Sequence, residues 1–229
     1  YYVREASAKE PYLVGEEIEV NIPADMNLTP VVIASYYDHA ATGNIRIVKT
    51  DAVDGSSLAG AVFEIRASGD IVRPDGSIAA LDGETVAAVT TDETGEARAD
   101  DLPLGSGTAR YEVVETQAPA GFLLDRTSHI VDLTYADQKT PVVEARLNVS
   151  DDYTKVDISK VDASGEQEVE GAQLTLYGPD KTEIDSWTSS DKPHRVEHLA
   201  PGTYSLREMM SPRTYDPVSY THLTLPTIA

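Results

Sequence analysis

The strongest constraint on the fold is a set of internal echoes along this chain of 229 residues. The segment that ends at Lys49 returns as the segment that ends at Lys160, and the one around Gly60 returns around Gly171, an offset of 111 residues in both cases. Tyr, an apolar residue and Glu stand at alternate positions three times, at Tyr1-x-Val3-x-Glu5, Tyr111-x-Val113-x-Glu115 and Tyr204-x-Leu206-x-Glu208. Self-similarity at a fixed period indicates an array of similar domains.

Within each echo the apolar residues recur with a period of two. Ile45 and Ile47, for example, alternate with Arg46 and Val48. Turn signals rich in Gly, Asp and Pro separate these short runs, and such a pattern is typical of antiparallel β-strands. The sequence therefore predicts an all-β fold of tandem antiparallel β-sandwiches.

The echoes also predict the domain boundaries. We expect residues 1–42 to be the C-terminal part of one repeat, 43–152 a complete repeat and 153–217 a truncated repeat. The third copy is shorter between its lysine and its glutamate, so the segment Ile71 to Ala88 should be an insertion that forms an extra hairpin or loop. Residues 218–229 have no counterpart after Glu115, and we interpret them as a non-native tail.

Composition excludes several classes of function. Asp and Glu outnumber Lys and Arg 39 to 18, for a net charge of −21, which argues against binding to nucleic acid or to anionic membranes. There is no cysteine, so disulfides and thiolate metal sites are impossible. The histidines do not cluster at metal-ligand spacing, and we expect no metal and no cofactor.

Strand alternation directs charged side chains towards the core. Ile45, Ile47 and Lys49 share one face of their strand because alternate residues point the same way. The same argument turns Glu115 inward with its apolar neighbours, and the third copy repeats it for Lys160 and Glu208. Lysine and glutamate are almost never fully buried unless they are paired.

Two interpretations fit such a pair. The first is a structural ion pair, or a lysine whose amine reaches solvent at the end of the sheet. The second is a self-formed amide bond. Burial lowers the pKa of a lysine and raises that of a carboxyl group, so a neutral amine can act as a nucleophile while the acid moves protons. Because the fold would hold the amine close to the carbonyl carbon that it attacks, proximity would supply the rest of the rate acceleration.

Several segments resemble the collagen-adhesin B-type (Cna-B) repeat, which is the prealbumin-like domain of Gram-positive pilins and surface adhesins. In the middle copy these are Lys49-Thr50-Asp51, the run from Leu58 to Ile65, and the run from Tyr111 to Phe122, which is similar to the E-box of that family. The third copy carries Ser159-Lys160-Val161-Asp162 and the run from Gly202 to Glu208. The resemblance covers about residues 1–217 and implies tandem immunoglobulin-like or prealbumin-like sandwiches.

The resemblance also implies roles for residues of the middle copy. In the family, a lysine on the first strand joins an Asn or Asp on the last strand, helped by the E-box glutamate. Lys49 would then be the nucleophile and Glu115 the proton shuttle. For the acceptor, Asn148 is the residue type typical of the family, but alternation places it on the face opposite the core, where only a β-bulge would turn it inward. Asp151 lies on the core-facing side, so both acceptors remain open.

The flanking copies would use corresponding residues. In the first copy these are Glu5 and Asp38, with a lysine outside this sequence. In the third they are Lys160 and Glu208, with an acceptor outside it. The core-facing position of Asp38 is inferred from its alternation with Val32, Ala34 and Tyr36.

The expected function is structural. The resemblance implies stalk or spacer repeats of a Gram-positive adhesin or pilin, extracellular and anchored to the cell wall, with adjacent repeats as partners. It implies no enzyme beyond a single-turnover reaction on itself. A host protein or glycan would be bound through another domain, and no nucleic acid or direct membrane contact is expected. The alternative is a module that itself recognises a host protein or glycan, and a clustered, exposed aromatic patch on one end of a sandwich would favour this alternative.

Overall fold

The computed structural model describes residues 1–22, 33–35, 37–162, 165, 167–211 and 221–225. Within these ranges the regular structure is entirely β, as the alternation predicts. The strands are β1 Tyr2–Val3, β2 Ile18–Glu19, β3 Thr42–Asp51, β4 Val62–Ala67, β5 Ile71–Val72, β6 Ile78–Ala80, β7 Thr85–Thr90, β8 Glu96–Pro103, β9 Thr108–Gln117, β10 His129–Thr134, β11 Val142–Asp151, β12 Lys155–Ile158, β13 Gln173–Tyr177, β14 Glu183–Thr188, β15 His194–Glu197, β16 Gly202–Met210 and β17 Thr221–Leu225.

The chain divides into two compact units. The first comprises Tyr1–Thr50, Ser57–Gln117 and Arg126–Val149, and the second comprises Asp51–Ser56, Ala118–Asp125 and Ser150–Ala229. The first unit thus contains residues 1–42, which the echoes assign to a separate copy, together with most of the middle copy. No helix in the described residues is long and apolar enough to cross a membrane.

The first unit is built on two sheets, an antiparallel one with strand order β10-β9-β4-β7 and a second one with strand order β11-β3-β8. Alternate residues of both sheets are buried in one hydrophobic core, as the period of two requires. These include Ile45 and Ile47 of β3, Phe63 and Ile65 of β4, Ala97 and Ala99 of β8, Tyr111 and Val113 of β9, and Val131 and Leu133 of β10.

The insertion expected between Ile71 and Ala88 contains a short hairpin. Strands β5 and β6 pair antiparallel, with Ile71 opposite Ala80, and both residues are buried. The expectation of an extra hairpin is therefore confirmed. The following strand, β7, belongs to the four-stranded sheet and pairs with β4.

The N-terminal segment forms little sheet of its own. Strands β1 and β2 pair over two residues each, and Tyr1 and Val3 are 80% and 46% exposed. The core-facing position expected for Asp38 is wrong, because this residue and Ala34 are exposed and lie outside any strand. Val32 and Tyr36, on which that expectation also depended, lie outside the described residues.

The second unit repeats much of this plan, with sheets of order β14-β13-β16-β17 and β12-β15. Its core contains Leu176, Val196, Leu199 and Tyr204. Strand β17 pairs with β16, with Leu223 opposite Tyr204, and so stands where β10 stands beside β9 in the first unit. Part of the segment interpreted as a tail thus lies in a sheet. Residues 218–220 and 226–229 are outside the described ranges.

Candidate functional site

Lys49 and Glu115 meet inside the core of the first unit. Lys49 Nζ is 3.0 Å from Glu115 Oε1, and the two side chains are 0% and 1% exposed. Lys49 comes from β3 of one sheet and Glu115 from β9 of the other, so the pair spans the sandwich. The amine also lies 5.6 Å from the centroid of the Phe63 ring. The burial expected from alternation is confirmed for both residues.

A β-bulge follows each glutamate. In the first unit Phe63 pairs with Glu115 but Val62 pairs with Gln117, so Thr116 is an extra residue in β9. In the second unit Leu174 pairs with Glu208 and Gln173 with Met210, which leaves Met209 as the extra residue. Bulges bend a strand and re-aim side chains, often beside functional sites. Alternation alone did not predict these bulges.

The corresponding pair in the second unit is looser. Lys160 Nζ is 3.7 Å from Glu208 Oε2, and the lysine side chain is 18% exposed. Glu208 Oε1 also accepts a hydrogen bond of 3.0 Å from the Ser211 hydroxyl. The Lys160 amide donates to the side chain of Glu168 at 3.1 Å. Both units therefore contain a Lys–Glu pair, but in the second unit the distance between the two groups is longer and the lysine is more exposed.

The two predicted acceptors lie on opposite sides of β11. Asp151, the last residue of this strand, is 2% exposed. Asn148 is exposed, and its Oδ1 accepts a hydrogen bond of 3.2 Å from Arg146 Nε. Strand β11 is the neighbour of β3, the strand that carries Lys49. Only Asp151 therefore has the buried position that a reaction inside the core requires.

The residues predicted for the first copy are not buried. Glu5 is half-buried, and its Oε2 accepts a hydrogen bond of 2.9 Å from the Gly15 amide. Asp38 is exposed. The structure thus places neither residue in surroundings like those of Glu115.

Sequence reasoning missed two buried hydroxyls. Thr91 follows β7 and Ser189 follows β14, and both are at most 9% exposed. Each hydroxyl donates to one backbone carbonyl and accepts from one backbone amide of a neighbouring turn. The matching signal in the sequence is Thr90-Thr91 against Thr188-Ser189, but the offset of 98 residues differs from that of the other echoes.

The titratable groups do not form a metal centre in the described residues, where no group of three or more His, Asp or Glu side chains could hold an ion. The chemistry that the site offers comes instead from an amine and carboxyl groups in a water-poor core. Those groups are the reactants and the proton carrier of amide formation.

Tandem β-sandwiches with a Lys–Glu pair in each unit define a class of all-β repeat domain. The family model described as SpaA, prealbumin-like fold domain, matches residues 43–147 and 154–223, which is more than half of the chain. The chain belongs to this family. The second matched segment extends into β17. No curated protein matches the chain.

The comparison with solved structures gives matches of low sequence identity. The Bacillus anthracis TIE protein is 24% identical with a TM-score of 0.49; the match covers 82% of this chain and 32% of that one. A streptococcal ancillary pilin is 24% identical with a TM-score of 0.41, and the match covers 99% of this chain and 71% of that one. The shaft pilin SpaA from Lactobacillus rhamnosus GG is 18% identical with a TM-score of 0.35, with coverage of 81% and 94%.

Proposed function

We propose that this chain is part of the stalk of a Gram-positive pilin or adhesin, outside the cell and anchored to the wall. Its partners are adjacent repeats and other subunits of the same assembly. The middle repeat, residues 43–152, is reinforced by a self-formed amide bond between Lys49 and Asp151, with Glu115 as proton shuttle. The observation that carries the proposal is the fully buried contact between Lys49 and Glu115.

The reaction is a condensation. The neutral amine of Lys49 attacks the side-chain carboxyl carbon of Asp151, a C–N bond forms, and the C–OH bond breaks. Glu115 accepts a proton from the attacking nitrogen and returns it to the leaving hydroxyl, so that one water is released and Glu115 is regenerated. Proton transfer by a positioned carboxyl group and a fixed approach distance are the two sources of rate.

Burial supports Asp151 over Asn148 as the acceptor. Asp151 is buried at the end of β11, whereas Asn148 faces outward and binds Arg146. Reaction of Asn148 would release ammonia instead of water. The mass lost therefore identifies the acceptor.

A bond from β3 to β11 suits a stalk. It joins the first and last strands of the repeat and closes a loop of about 100 residues, worth about 4.7 kcal/mol of chain entropy by analogy with a disulfide. In a chain without cysteine, it would supply a covalent reinforcement that reducing agents cannot remove.

The test is the intact mass of the chain and of three variants. We expect the parent and Asn148→Ala to be lighter than their sequences by one water. Asp151→Ala and Glu115→Ala should have their full masses, because one lacks the acceptor and the other the proton carrier. Peptide mapping should place the bond between Lys49 and Asp151. A full mass for the parent would contradict the proposed bond, and a loss of ammonia would transfer the acceptor role to Asn148.

A further inference from the structure

Two loops hold the backbone of Lys49. Its amide donates to the carbonyl of Gly95 at 2.8 Å, and its carbonyl accepts from the amide of Leu58 at 3.1 Å. Both contacts lie at the end of β3, where the lysine enters the core. The position of the amine therefore depends on where the turn after Leu58 is fixed.

Thr91 fixes that turn with four hydrogen bonds. Its hydroxyl donates to the Leu58 carbonyl at 2.8 Å and accepts from the Ala61 amide at 3.0 Å. Its backbone accepts from the Gly60 amide and donates to the Ala61 carbonyl, each at 2.9 Å. Thr91 is 4% exposed. Without the hydroxyl, the buried Leu58 carbonyl and Ala61 amide would each lose a partner, which is costly where water cannot replace it.

The second unit contains the same arrangement around a serine. The Val169 amide donates to the Lys160 carbonyl at 2.7 Å. The Ser189 hydroxyl donates to the Val169 carbonyl at 2.6 Å and accepts from the Ala172 amide at 2.9 Å. The two residues share the hydroxyl and differ by one methyl group. The feature that recurs beside each lysine is thus the hydroxyl itself.

We propose that Thr91 is a positioning residue for Lys49 in amide formation, and that Ser189 has the same role for Lys160. This inference rests on the proposed function. The hydroxyl locks the turn, the turn holds the lysine carbonyl, and the backbone so fixed directs the amine towards the reacting carboxyl groups. A misplacement of about 1 Å can slow a positioned reaction by about a hundredfold, so a residue that never touches the reacting atoms can still set the rate.

Two experiments test this proposal. The first arm measures how fast the amide bond forms. The full chain is made by cell-free synthesis and its intact mass is followed over time. We expect Thr91→Val, which keeps the shape but removes the hydroxyl, to slow the loss of water by tenfold or more. Thr91→Ser should restore the parent rate. Ser189→Ala should leave the rate at Lys49 unchanged, because its turn belongs to the other unit.

A matched variant separates positioning from general stability. Val131→Ala removes buried volume from the same core without touching the turn that Thr91 holds. We expect it to destabilise the unit in hydrogen exchange yet to form the bond at the parent rate. The proposal is overturned if Thr91→Val reacts at the parent rate, or if Val131→Ala is slowed equally.

The second arm can be carried out even if the parent loses no water. That result would refute the proposed bond, but the positioning of Lys49 by Thr91 could still be tested. In an Asp151→Ala background the Lys49 amine stays unreacted, and the chain is labelled with an acetylating reagent. Adding Thr91→Val should raise labelling of Lys49 at least tenfold above the level seen with Val131→Ala, with no change at the exposed Lys139. Equal labelling in the two variants would overturn the positioning role.

Discussion

Lys49 Nζ lies 3.0 Å from Glu115 Oε1 in a place where neither side chain has more than 1% of its surface exposed. Breaking a buried ion pair by removing one member costs about 3–5 kcal/mol. The second unit differs, because 18% of the Lys160 side chain already reaches the surface. A lysine in that position can turn its amine to water when its partner is lost.

Glu115→Ala should therefore destabilise its unit far more than Glu208→Ala destabilises the other. The measurement is hydrogen exchange of peptides from each unit, since a chain with two compact units need not unfold in one step. Glu93→Ala, which removes an exposed glutamate, is the control and should change little. Equal losses of protection in the two units would contradict the expectation.

Gly95→Ala should disturb Lys49 directly. Gly95 has a φ of +75°, and an added Cβ would lie 2.5 Å from the Lys49 carbonyl oxygen. Gly55 is the matched control, because it has a φ of +74° but open space around its Cβ position. We expect Gly55→Ala to cost only the left-handed backbone penalty of about 1–2 kcal/mol, and Gly95→Ala to cost more and to slow bond formation. The denaturation midpoint of the unit that contains each glycine and the intact mass check the two effects, and similar behaviour of the two variants would argue against a close backbone contact.

The alternation of apolar and polar residues predicted the fold and the inward direction of the charged residues of the site. A period of two is sufficient to say which face Ile45, Ile47 and Lys49 share, because the core accepts only one face of β3. The same rule placed Asp151 inward and Asn148 outward. It could not predict the bulge after Glu115, because an extra residue is a property of the pairing with β4 and not of one strand.

The hydroxyl of Thr91 was missed for a related reason. Its partners are backbone groups of a turn about 30 residues away, and no pattern in the local sequence encodes that contact. Alternation likewise failed for Asp38, since the rule holds only where a sheet covers a core, and the N-terminal strands β1 and β2 do not continue to that residue.

The substitution Tyr111→Phe should lower the stability of the fold at neutral pH. It should also remove part of the stability that the protein loses at alkaline pH. The Tyr111 hydroxyl donates to the Pro103 carbonyl at 2.6 Å, a bond worth about 1 kcal/mol. Burial raises the pKa of Tyr111 far above its usual range. In the unfolded chain the phenol loses its proton above about pH 10 while the folded one keeps it, so stability falls by about 1.4 kcal/mol per pH unit there.

The check is the difference between parent and Tyr111→Phe in the denaturation midpoint of the first unit, near neutral pH and above pH 10. The gap between the two should close or reverse as the pH rises. Tyr37→Phe serves as the control, because Tyr37 is 76% exposed. A gap that stays constant with pH would mean that Tyr111 ionises as readily in the folded protein.

Deleting residues 218–229 should loosen the second unit. Strand β17 covers the outer edge of β16, with Leu223 opposite Tyr204, and an uncovered edge has unpaired amides. We expect faster hydrogen exchange across β16 in the shortened chain and unchanged exchange across β9. Equal protection of β16 with and without these residues would favour a tail that adds nothing to the fold.

The adjacency of β3 and β11 also has a topological consequence. With Lys49 joined to Asp151, the chain between them becomes a closed ring. A trypsin cut after Arg126, an exposed residue in the connection between β9 and β10, would open this ring without releasing a fragment. The nicked protein would still migrate as a single species on a denaturing gel, and a protease would have to cut the ring twice to release a piece of it.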